Sequence, residues 1–223
     1  MNSKIIKQGL DQIASIDADV KKGLDLVGYP EPRIRPEGFE SLLGIILGQQ
    51  ISTEAASSIR KRLDGIWSEK TAGSFLRFTE ETLRGIGFSR RKIEYAKGIA
   101  LAIEKGEFGI DKLSQKSDQE AKSQLVKLRG FGEWSAEIYL VFSLGRTDIY
   151  PANDLALQES LKRLKGLKDR PNENESRKLV SHWSPWRSVG ALFLWKYYRG
   201  APDERDDYNK IQQSMDASLF VIS

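Results

Sequence analysis

Two glycines one residue apart, Gly130 and Gly132, mark the part of the chain best suited to bind an anion. A glycine has no side chain, and we expect this pair to take backbone angles that other residues avoid, forming a tight hairpin. A helix is predicted to begin at about Trp134, with its unpaired first N–H groups and the positive end of its dipole facing the hairpin. The segment Leu128–Ala136 therefore predicts a socket for a phosphate group.

A carboxylate follows this hairpin at some distance along the chain. Asp154 lies 20 residues after Trp134, and Pro151 stands three residues before it. An aspartate in this setting is a good N-cap for a helix predicted over residues 155–164. Capping is compatible with a chemical role, so both remain open for Asp154. Asp148 is the main alternative in this segment, and a structural role is favoured for it.

Four motifs occur in the order found in the helix-hairpin-helix DNA glycosylases. They are the hairpin segment, residues 148–157, the corner Leu47–Ser52, and Trp183–Ser188 followed by Leu194 and Trp195. Together they span most of residues 35–200, and they resemble the alkylpurine (3-methyladenine) DNA glycosylase II branch. The resemblance implies an all-α, two-lobed helical bundle. Residues 1–200 would form a single glycosylase domain of two interleaved lobes, with the helix-hairpin-helix motif near residues 120–145.

The resemblance also implies a reaction. Such enzymes cut the bond between a base nitrogen and C1′ of deoxyribose through an oxocarbenium-like state, which a nearby carboxylate stabilises. This role falls to Asp154. A purine alkylated at N3 or N7 is already positively charged and leaves as a neutral base, so one carboxylate suffices. We therefore expect hydrolysis of this bond in double-stranded DNA containing alkylated bases, the first step of base excision repair.

Two tryptophans match the residues that stack on the extruded base in this branch. They are Trp134 and Trp195, and an indole face attracts a cationic base. Either could instead be an ordinary core residue. Relatives that also nick the strand carry a lysine at the position of Trp134, so a monofunctional enzyme without lyase activity is expected. A third pocket aromatic of the best-known member aligns with Ile138, which predicts a more open pocket.

The corner Gln49, Gln50 and Ile51 matches the part of the family that enters the DNA minor groove. The resemblance places Gln50 in the gap left by the extruded base and beside the base pocket, with Gln49 and Ile51 as further DNA contacts. Apolar wedges are commoner in this role, so a glutamine departs from the best-known pattern. An ordinary cluster of amides at a helix corner is the alternative.

The hairpin carries the remaining contacts that the resemblance implies. Gly130, Phe131 and Gly132 would contact DNA, and the backbone carbonyls of Val126, Leu128 and Phe131 would hold a monovalent cation, Na⁺ or K⁺, that bridges to a phosphate. No other cofactor is required.

A second, degenerate hairpin is visible at Gly85–Lys92. Three cations there, Arg90, Arg91 and Lys92, open a helix, where they oppose its dipole. A phosphate contact would explain them, but a solvated face is favoured.

Composition limits the classes of site. The chain has no cysteine, which excludes disulfides, zinc-thiolate sites and a cysteine-ligated iron–sulfur cluster. The net charge is +4, and because residues 201–223 form an acidic, polar tail of net charge −3, residues 1–200 carry +7. This mild excess is compatible with a polyanionic partner. The charged N-terminus predicts no signal peptide or membrane span, so an intracellular monomer is expected, in the cytoplasm and nucleoid or in a nucleus.

Apolar spacing predicts helices throughout and no strand. Two amphipathic helices over residues 4–27 precede a proline-rich connector at 28–38 and a buried helix, Phe39–Gln50. Further helices are predicted over residues 53–63, two within 71–87, and then 88–105, 117–128, 134–145, 155–164 and 177–183. Residues 171–176 are predicted to form a polar turn, and Ser184 is predicted to cap a last helix that begins at Pro185 and ends near residue 198.

Two other functions remain open. One is a glycosylase for oxidised or deaminated bases, which would need an acid to assist a neutral leaving group. The other is a non-catalytic module that binds damaged DNA. Because helices begin almost at once, we expect the compact form of the family, without the β-rich N-terminal domain of some bacterial relatives.

Overall fold

The computed structural model describes residues 1–201, and every regular element in this range is a helix. The prediction of an all-α fold is confirmed. The α-helices are α1 Ser3–Ile16, α2 Ala18–Val27, α3 Phe39–Gly48, α4 Thr53–Asp64, α5 Ala72–Leu76, α6 Glu80–Gly85, α7 Arg90–Glu104, α8 Asp118–Val126, α9 Glu133–Phe142, α10 Leu155–Leu164, α11 Glu173–Leu179 and α12 Arg187–Gly200. Two short 3₁₀ helices lie at Ile110–Gln115 and Ser181–Trp183.

The first lobe is formed by helices from both ends of the described chain, since α1 and α2 pack against α10 and α12. On α1 the buried residues recur at helical spacing, as Ile6, Leu10 and Ile13. Gly23 allows α2 to approach α12 closely, since a Cβ added to it would lie 2.7 Å from Cζ of Phe193 on α12.

The second lobe contains α3 to α9, with α3 packed against α4, α7 and α9. Its core includes a cluster of aromatic rings, in which Phe39 contacts Trp67 and Phe75 with ring centroids 5.9 and 5.4 Å apart. Helix α3 is apolar on most of its surface, as the sequence predicted, and seven of its ten residues are buried. A helix buried on so many sides fixes the position of the corner that follows it.

One buried carboxylate ties three parts of the first lobe together. Asp17 is 5% exposed, caps α2, and accepts hydrogen bonds from Lys165 Nζ at 2.7 Å and from Trp183 Nε1 at 2.8 Å. Nε2 of His182 lies 3.0 Å from the same carboxylate. His182 is therefore used within the fold, and Trp183 is core, as predicted.

The connector 28–38 crosses from the first lobe to the second and is fastened to α9. The backbone N–H of Gly38 donates to the hydroxyl of Tyr139 at 2.9 Å, and the N–H of Arg35 donates to the carbonyl of Phe142 at 2.9 Å. Burial raises the pKa of Tyr139 to about 12, so this hydroxyl stays neutral.

Three predictions about element ends are wrong. Residues 173–176 are helical, because Asn172 caps α11 in a capping box with Glu175, so the polar turn is shorter than predicted. Helix α12 begins at Arg187 rather than at Pro185; Ser184 does not cap it, and its hydroxyl donates to Asp148 Oδ2 at 2.8 Å. Helix α9 ends at Phe142, three residues before Gly145.

Within the described range no helix has the length and apolar character needed to cross a membrane. The predictions made for the acidic tail beyond Ala201 concern residues outside the described part of the chain.

Candidate functional site: a carboxylate between two indoles beside a glycine hairpin

The hairpin turn, Leu128–Gly132, connects α8 to α9. Gly130 has a φ of +86°, and a Cβ at this position would lie 2.1 Å from Cδ2 of Tyr95 on α7. A glycine is therefore required at position 130 for both its backbone angle and its space. Gly132 differs from the prediction, because its φ of −86° and ψ of −178° suit any residue. It is the N-cap residue of α9, and a Cβ there would meet no atom within 4 Å.

Asp154 stands at the start of α10 and accepts hydrogen bonds from three N–H groups. The backbone of Leu157 donates to Oδ1 at 3.0 Å, which makes Asp154 the N-cap of this helix. The indole Nε1 of Trp134 donates to Oδ2 at 2.9 Å, and that of Trp195 lies 3.3 Å from Oδ1. Both roles left open by the sequence are thus compatible with its position, because the carboxylate caps a helix and also faces two candidate pocket residues.

The two indoles come from different parts of the fold. Trp134 lies in the first turn of α9, directly after the hairpin turn, and Trp195 lies on α12 in the first lobe. Both side chains are half-buried, as is that of Asp154. The ring of Phe142 packs against that of Trp195, with centroids 5.3 Å apart and planes 32° apart. The site is therefore partly accessible to solvent and has one indole from each lobe.

Ile138 and Leu155 are the apolar neighbours of Trp134 and Asp154 along their helices. Ile138 follows Trp134 by one helical turn on α9 and is buried. Leu155 is adjacent to Asp154, in the first turn of α10, and is 61% exposed. Leu155 could not be selected from the sequence, because its apolar neighbours made it resemble a core position.

A buried ion pair supports the loop that carries Asp154. Glu137 on α9 is 3% exposed, and its Oε1 lies 3.1 Å from Nζ of Lys122 and 3.2 Å from Nη2 of Arg177. Nη1 of Arg177 also donates to the backbone carbonyl of Tyr150 in that loop, at 3.3 Å. Arg177 therefore links α9 to Tyr150, which lies four residues before Asp154.

Sequence reasoning missed Glu137, although one signal for it was visible. An acidic residue stands alone within an otherwise apolar helix, and such a residue is buried only when it is paired. Tyr150 was missed as well. Its hydroxyl is buried without a hydrogen-bond partner in the described structure, and burial, followed by the charge of Asp154, raises its pKa.

The corner after α3 is fixed to the hairpin by Gln49. The side-chain Nε2 of Gln49 donates to the carbonyl of Gly130 at 2.9 Å and to Oγ of Ser135 at 3.0 Å. Gln50 is exposed and has a φ of +56°, and Ile51 is 37% exposed. The corner therefore presents Gln50 and Ile51 to solvent, while Gln49 holds it against the hairpin turn.

The second, degenerate hairpin differs from the first. Gly87 has a φ of +106°, and Ser89 caps α7. Lys92 is engaged within the protein, because its Nζ donates to the carbonyl of Leu47 at the end of α3, at 2.6 Å. Only Arg90 and Arg91 of the three cations are exposed, which fits the solvated face that the sequence favoured.

Asp148 has the structural role favoured for it. Its carboxylate accepts two hydrogen bonds from the guanidinium of Arg187, each 2.7 Å long, and one from Ser184. Burial raises the pKa of Asp148, but the hydrogen bonds from Arg187 and Ser184 outweigh it and lower the pKa. Asp148 therefore fastens the start of α12 to the loop that leads to Asp154.

The three carbonyls suggested as cation ligands lie at the end of α8 and in the hairpin turn. The carbonyl of Leu128 accepts the N–H of Phe131 at 2.9 Å, which leaves one lone pair for another partner. Within residues 1–201, neither the carbonyl of Val126 nor that of Phe131 accepts a hydrogen bond. Neutral carbonyl oxygens without protein partners suit a weakly charged, hard cation such as Na⁺ or K⁺.

Comparison with known proteins supplies a family. The HhH-GPD superfamily of base excision DNA repair proteins matches residues 43–185. DNA-3-methyladenine glycosylase 1 of Schizosaccharomyces pombe is 30% identical over 191 residues, which cover 82% of this chain and 84% of that protein. A DNA-3-methyladenine glycosylase of Bacillus subtilis is 30% identical over 198 residues, covering 83% of this chain and 63% of the relative.

A solved structure is similar over most of both chains. The S. pombe 3-methyladenine DNA glycosylase, determined in complex with abasic DNA, superimposes with a TM-score of 0.79 at 29% identity. The match covers 85% of this chain and 95% of that one. By contrast, the chain spans about three-fifths of the length of the curated Bacillus relatives.

Proposed function

Because the chain belongs to the HhH-GPD superfamily of base excision DNA repair proteins, we propose that it is a DNA glycosylase that hydrolyses the N-glycosidic bond of damaged bases in double-stranded DNA. The single observation that carries this proposal is the position of Asp154. Its carboxylate is half-buried, is held by two indole N–H groups, and lies next to the helix that begins at the hairpin turn.

In the proposed mechanism, Asp154 stabilises the positive charge that develops on the sugar as the base leaves. The three N–H groups orient the carboxylate before the reaction begins, so little reorganisation is needed in the transition state. No second carboxylate is required when the leaving base is already cationic. Asp154 also has the position to orient the attacking water.

The substrates proposed are purines alkylated at N3 or N7. A cationic base stacked on the face of Trp134 or Trp195 gains about 2 kcal/mol when the pair is shielded from water. Alkylation also weakens pairing and stacking in the duplex, which lowers the cost of extrusion. The names of the S. pombe and B. subtilis relatives support this substrate class.

The hairpin turn and the corner after α3 are the proposed DNA contacts. The hairpin turn would contact the DNA backbone through Gly130, Phe131 and Gly132, and its carbonyls would hold a monovalent cation. The gap left by the base would be filled by Gln50 and Ile51. The corner is suited to this task because it is held in place by Gln49. We propose that the protein acts as a monomer and without lyase activity, since Trp134 stands where a nucleophilic lysine would be needed.

Excision assays test this proposal. Duplexes that contain one alkylated, one oxidised or one deaminated base are incubated with the wild-type protein and with Asp154→Asn. Release of the alkylated purine by the wild type alone supports the proposal. Release of only oxidised or deaminated bases would assign a different substrate, and binding without any release would indicate a non-catalytic module. Strand cleavage without added heat or alkali would contradict the monofunctional mechanism.

A further inference from the structure

Three arginines lie together beside the Trp195 side of the candidate site. Arg33 and Arg35 come from the connector 28–38, and Arg199 comes from the last turn of α12. The guanidinium of Arg35 lies over the ring of Phe142, 5.1 Å from its centroid, and that ring packs on Trp195. The connector is thus fixed to the rings of Phe142 and Trp195, next to Asp154.

A cavity of about 160 Å³ lies between the connector and α12. Arg33 and Arg199 line it together with Trp195. Glu31 also contributes to the lining, but within residues 1–201 no carboxylate lies within 4 Å of Arg33, Arg35 or Arg199. The cavity is therefore a small, positively charged recess whose wall is shared with the candidate base site.

The arginines repel one another because no counter-ion separates them. Burial lowers the pKa of Arg33, and the charge of Arg199 lowers it further. Burial also lowers the pKa of Arg35, as do the charges of Arg33 and Arg60. Arg60 differs from the others, since it pairs with Glu40 and Asp64. Unpaired cations held close together are stabilised when a bound anion supplies the missing charge.

The chemistry of the cluster favours a phosphate group. Guanidinium groups donate paired N–H bonds that match the oxygens of a phosphate. Ile34, between the two connector arginines, is 67% exposed. An apolar side chain flanked by arginines is typical of surfaces that contact both the phosphates and the sugars or bases of DNA.

We propose that Arg33 and Arg199, with Arg35 next to them on the ring of Phe142, form a second phosphate-binding site, which holds the backbone of the DNA on the Trp195 side of Asp154. The hairpin turn lies on the Trp134 side, so the two sites would hold the strand on both sides of the extruded nucleotide. This inference rests on DNA being the partner, as in the proposed function.

Salt dependence of binding tests the site. The full-length protein is titrated with an undamaged duplex and with a duplex that carries a tetrahydrofuran abasic analogue, between about 50 and 200 mM salt. We expect Arg33→Gln/Arg199→Gln to lower the slope of log Kd against log salt by about one for each phosphate lost. Arg35→Gln is measured separately, because its guanidinium also packs on Phe142.

The matched control is Arg77→Gln/Lys105→Gln, which removes the same charge from exposed positions elsewhere. An unchanged slope for the control and a shallower slope for the cluster variant support the proposal. Equal slopes for the two variants would overturn it. Base excision by the wild type is measured in parallel, so that a protein that binds DNA through these arginines but excises nothing would disprove the proposed activity alone.

The acidic tail is the competing occupant, because Asp203, Glu204, Asp206 and Asp207 follow Arg199 closely in the sequence. Replacing these four residues by Asn or Gln in the full chain separates the two cases. The arginines bind the tail rather than DNA in the unmodified protein if two results occur together. The tail variant gains DNA affinity only when the arginines are intact, and Arg33→Gln/Arg199→Gln in the chain with its acidic tail leaves the salt slope unchanged.

Discussion

The indole nitrogen of Trp134 lies 2.9 Å from Oδ2 of Asp154, so the first turn of the hairpin helix holds the carboxylate directly. The edge of this indole is engaged by the aspartate, and the side chain is half-buried. In the proposed function this residue has two purposes, since it fixes the carboxylate and its ring stacks on the extruded base. Trp195 makes a longer contact, 3.3 Å, with the other oxygen.

The variant Trp134→Phe separates these two purposes, because it keeps an aromatic face and removes the N–H donor. A hydrogen bond to a charged group contributes about 1.5 to 3 kcal/mol, so we expect single-turnover excision to slow by roughly tenfold to a hundredfold. Binding to an abasic duplex should change little. Trp186→Phe is the control, since its N–H donates to Gln12 outside the site. Equal rates in all three proteins would mean that the hydrogen bond plays no part.

The two hairpin glycines are expected to respond differently to alanine. Gly130→Ala introduces a methyl group into the ring of Tyr95 at a positive φ, and we expect a loss of at least about 2 kcal/mol in the free energy of unfolding. Gly132→Ala should be tolerated within about 0.5 kcal/mol, because its backbone angles are ordinary and the space is open.

Gly132→Ala therefore tests DNA contact without disturbing the fold. We expect weaker binding to any duplex and a shallower salt dependence, because the added methyl group lies where a phosphate would approach the N–H groups of α9. Urea denaturation and DNA titration are measured on both variants. A Gly132→Ala protein with unchanged affinity at every salt concentration would exclude a close contact at this residue.

Local patterns explain why so much of the fold could be predicted. Apolar spacing and side-chain caps act over three or four residues, and Ser117 forms the capping box that its sequence predicts. The predicted start of α12 was wrong because a residue distant in the sequence determines it. The hydroxyl of Ser184 donates to Asp148 and does not cap the helix. Gly130 and Gly132 look equivalent in the sequence, and only their backbone angles and the packing of Tyr95 distinguish them.

The candidate site likewise has a part that the sequence predicts and a part that it does not. Asp154, Trp134 and Trp195 could be selected by motif, although the hydrogen bonds that join them across 20 and 41 residues could not. Glu137 and Arg35 escaped selection because their partners are remote in the sequence. Long-range pairing of this kind depends on how the lobes pack, which no local pattern records.

Glu137→Gln tests whether the buried ion pair positions the loop that carries Asp154. Removing this charge leaves Lys122 and Arg177 without their buried partner, and breaking such a pair costs about 3 kcal/mol or more. We expect lower stability and also slower excision by protein that is still folded at 25 °C, because Arg177 would no longer fix the carbonyl of Tyr150.

Glu173→Gln is the matched control, since the exposed carboxylate of Glu173 contacts the same arginine at 2.9 Å. Its effect on stability should stay within about 0.5 kcal/mol. The abasic-duplex affinity and the single-turnover rate are measured for both variants. A Glu137→Gln protein that loses stability while retaining the full rate would reduce Glu137 to a structural role.

Asp17 should make stability depend on pH in the acid range. Burial raises the pKa of this carboxyl, but the hydrogen bonds from Lys165, Trp183 and His182 outweigh it and lower the pKa to about 2, from an ordinary 3.8. The folded state therefore binds the proton less tightly than the unfolded state does. The resulting stabilisation is complete above about pH 4 and is lost as the pH falls through 2.

Asp17→Asn should accordingly cost about 2 kcal/mol of unfolding free energy at pH 7, from a pKa difference of nearly two units. At pH 3 roughly half of that difference should remain. Urea denaturation of both proteins at pH 7, 5 and 3 measures it, with Asp25→Asn on the exposed surface of α2 as the control. A difference between wild type and Asp17→Asn that stays constant from pH 7 to 3 would show that the ionised carboxylate contributes nothing beyond its packing.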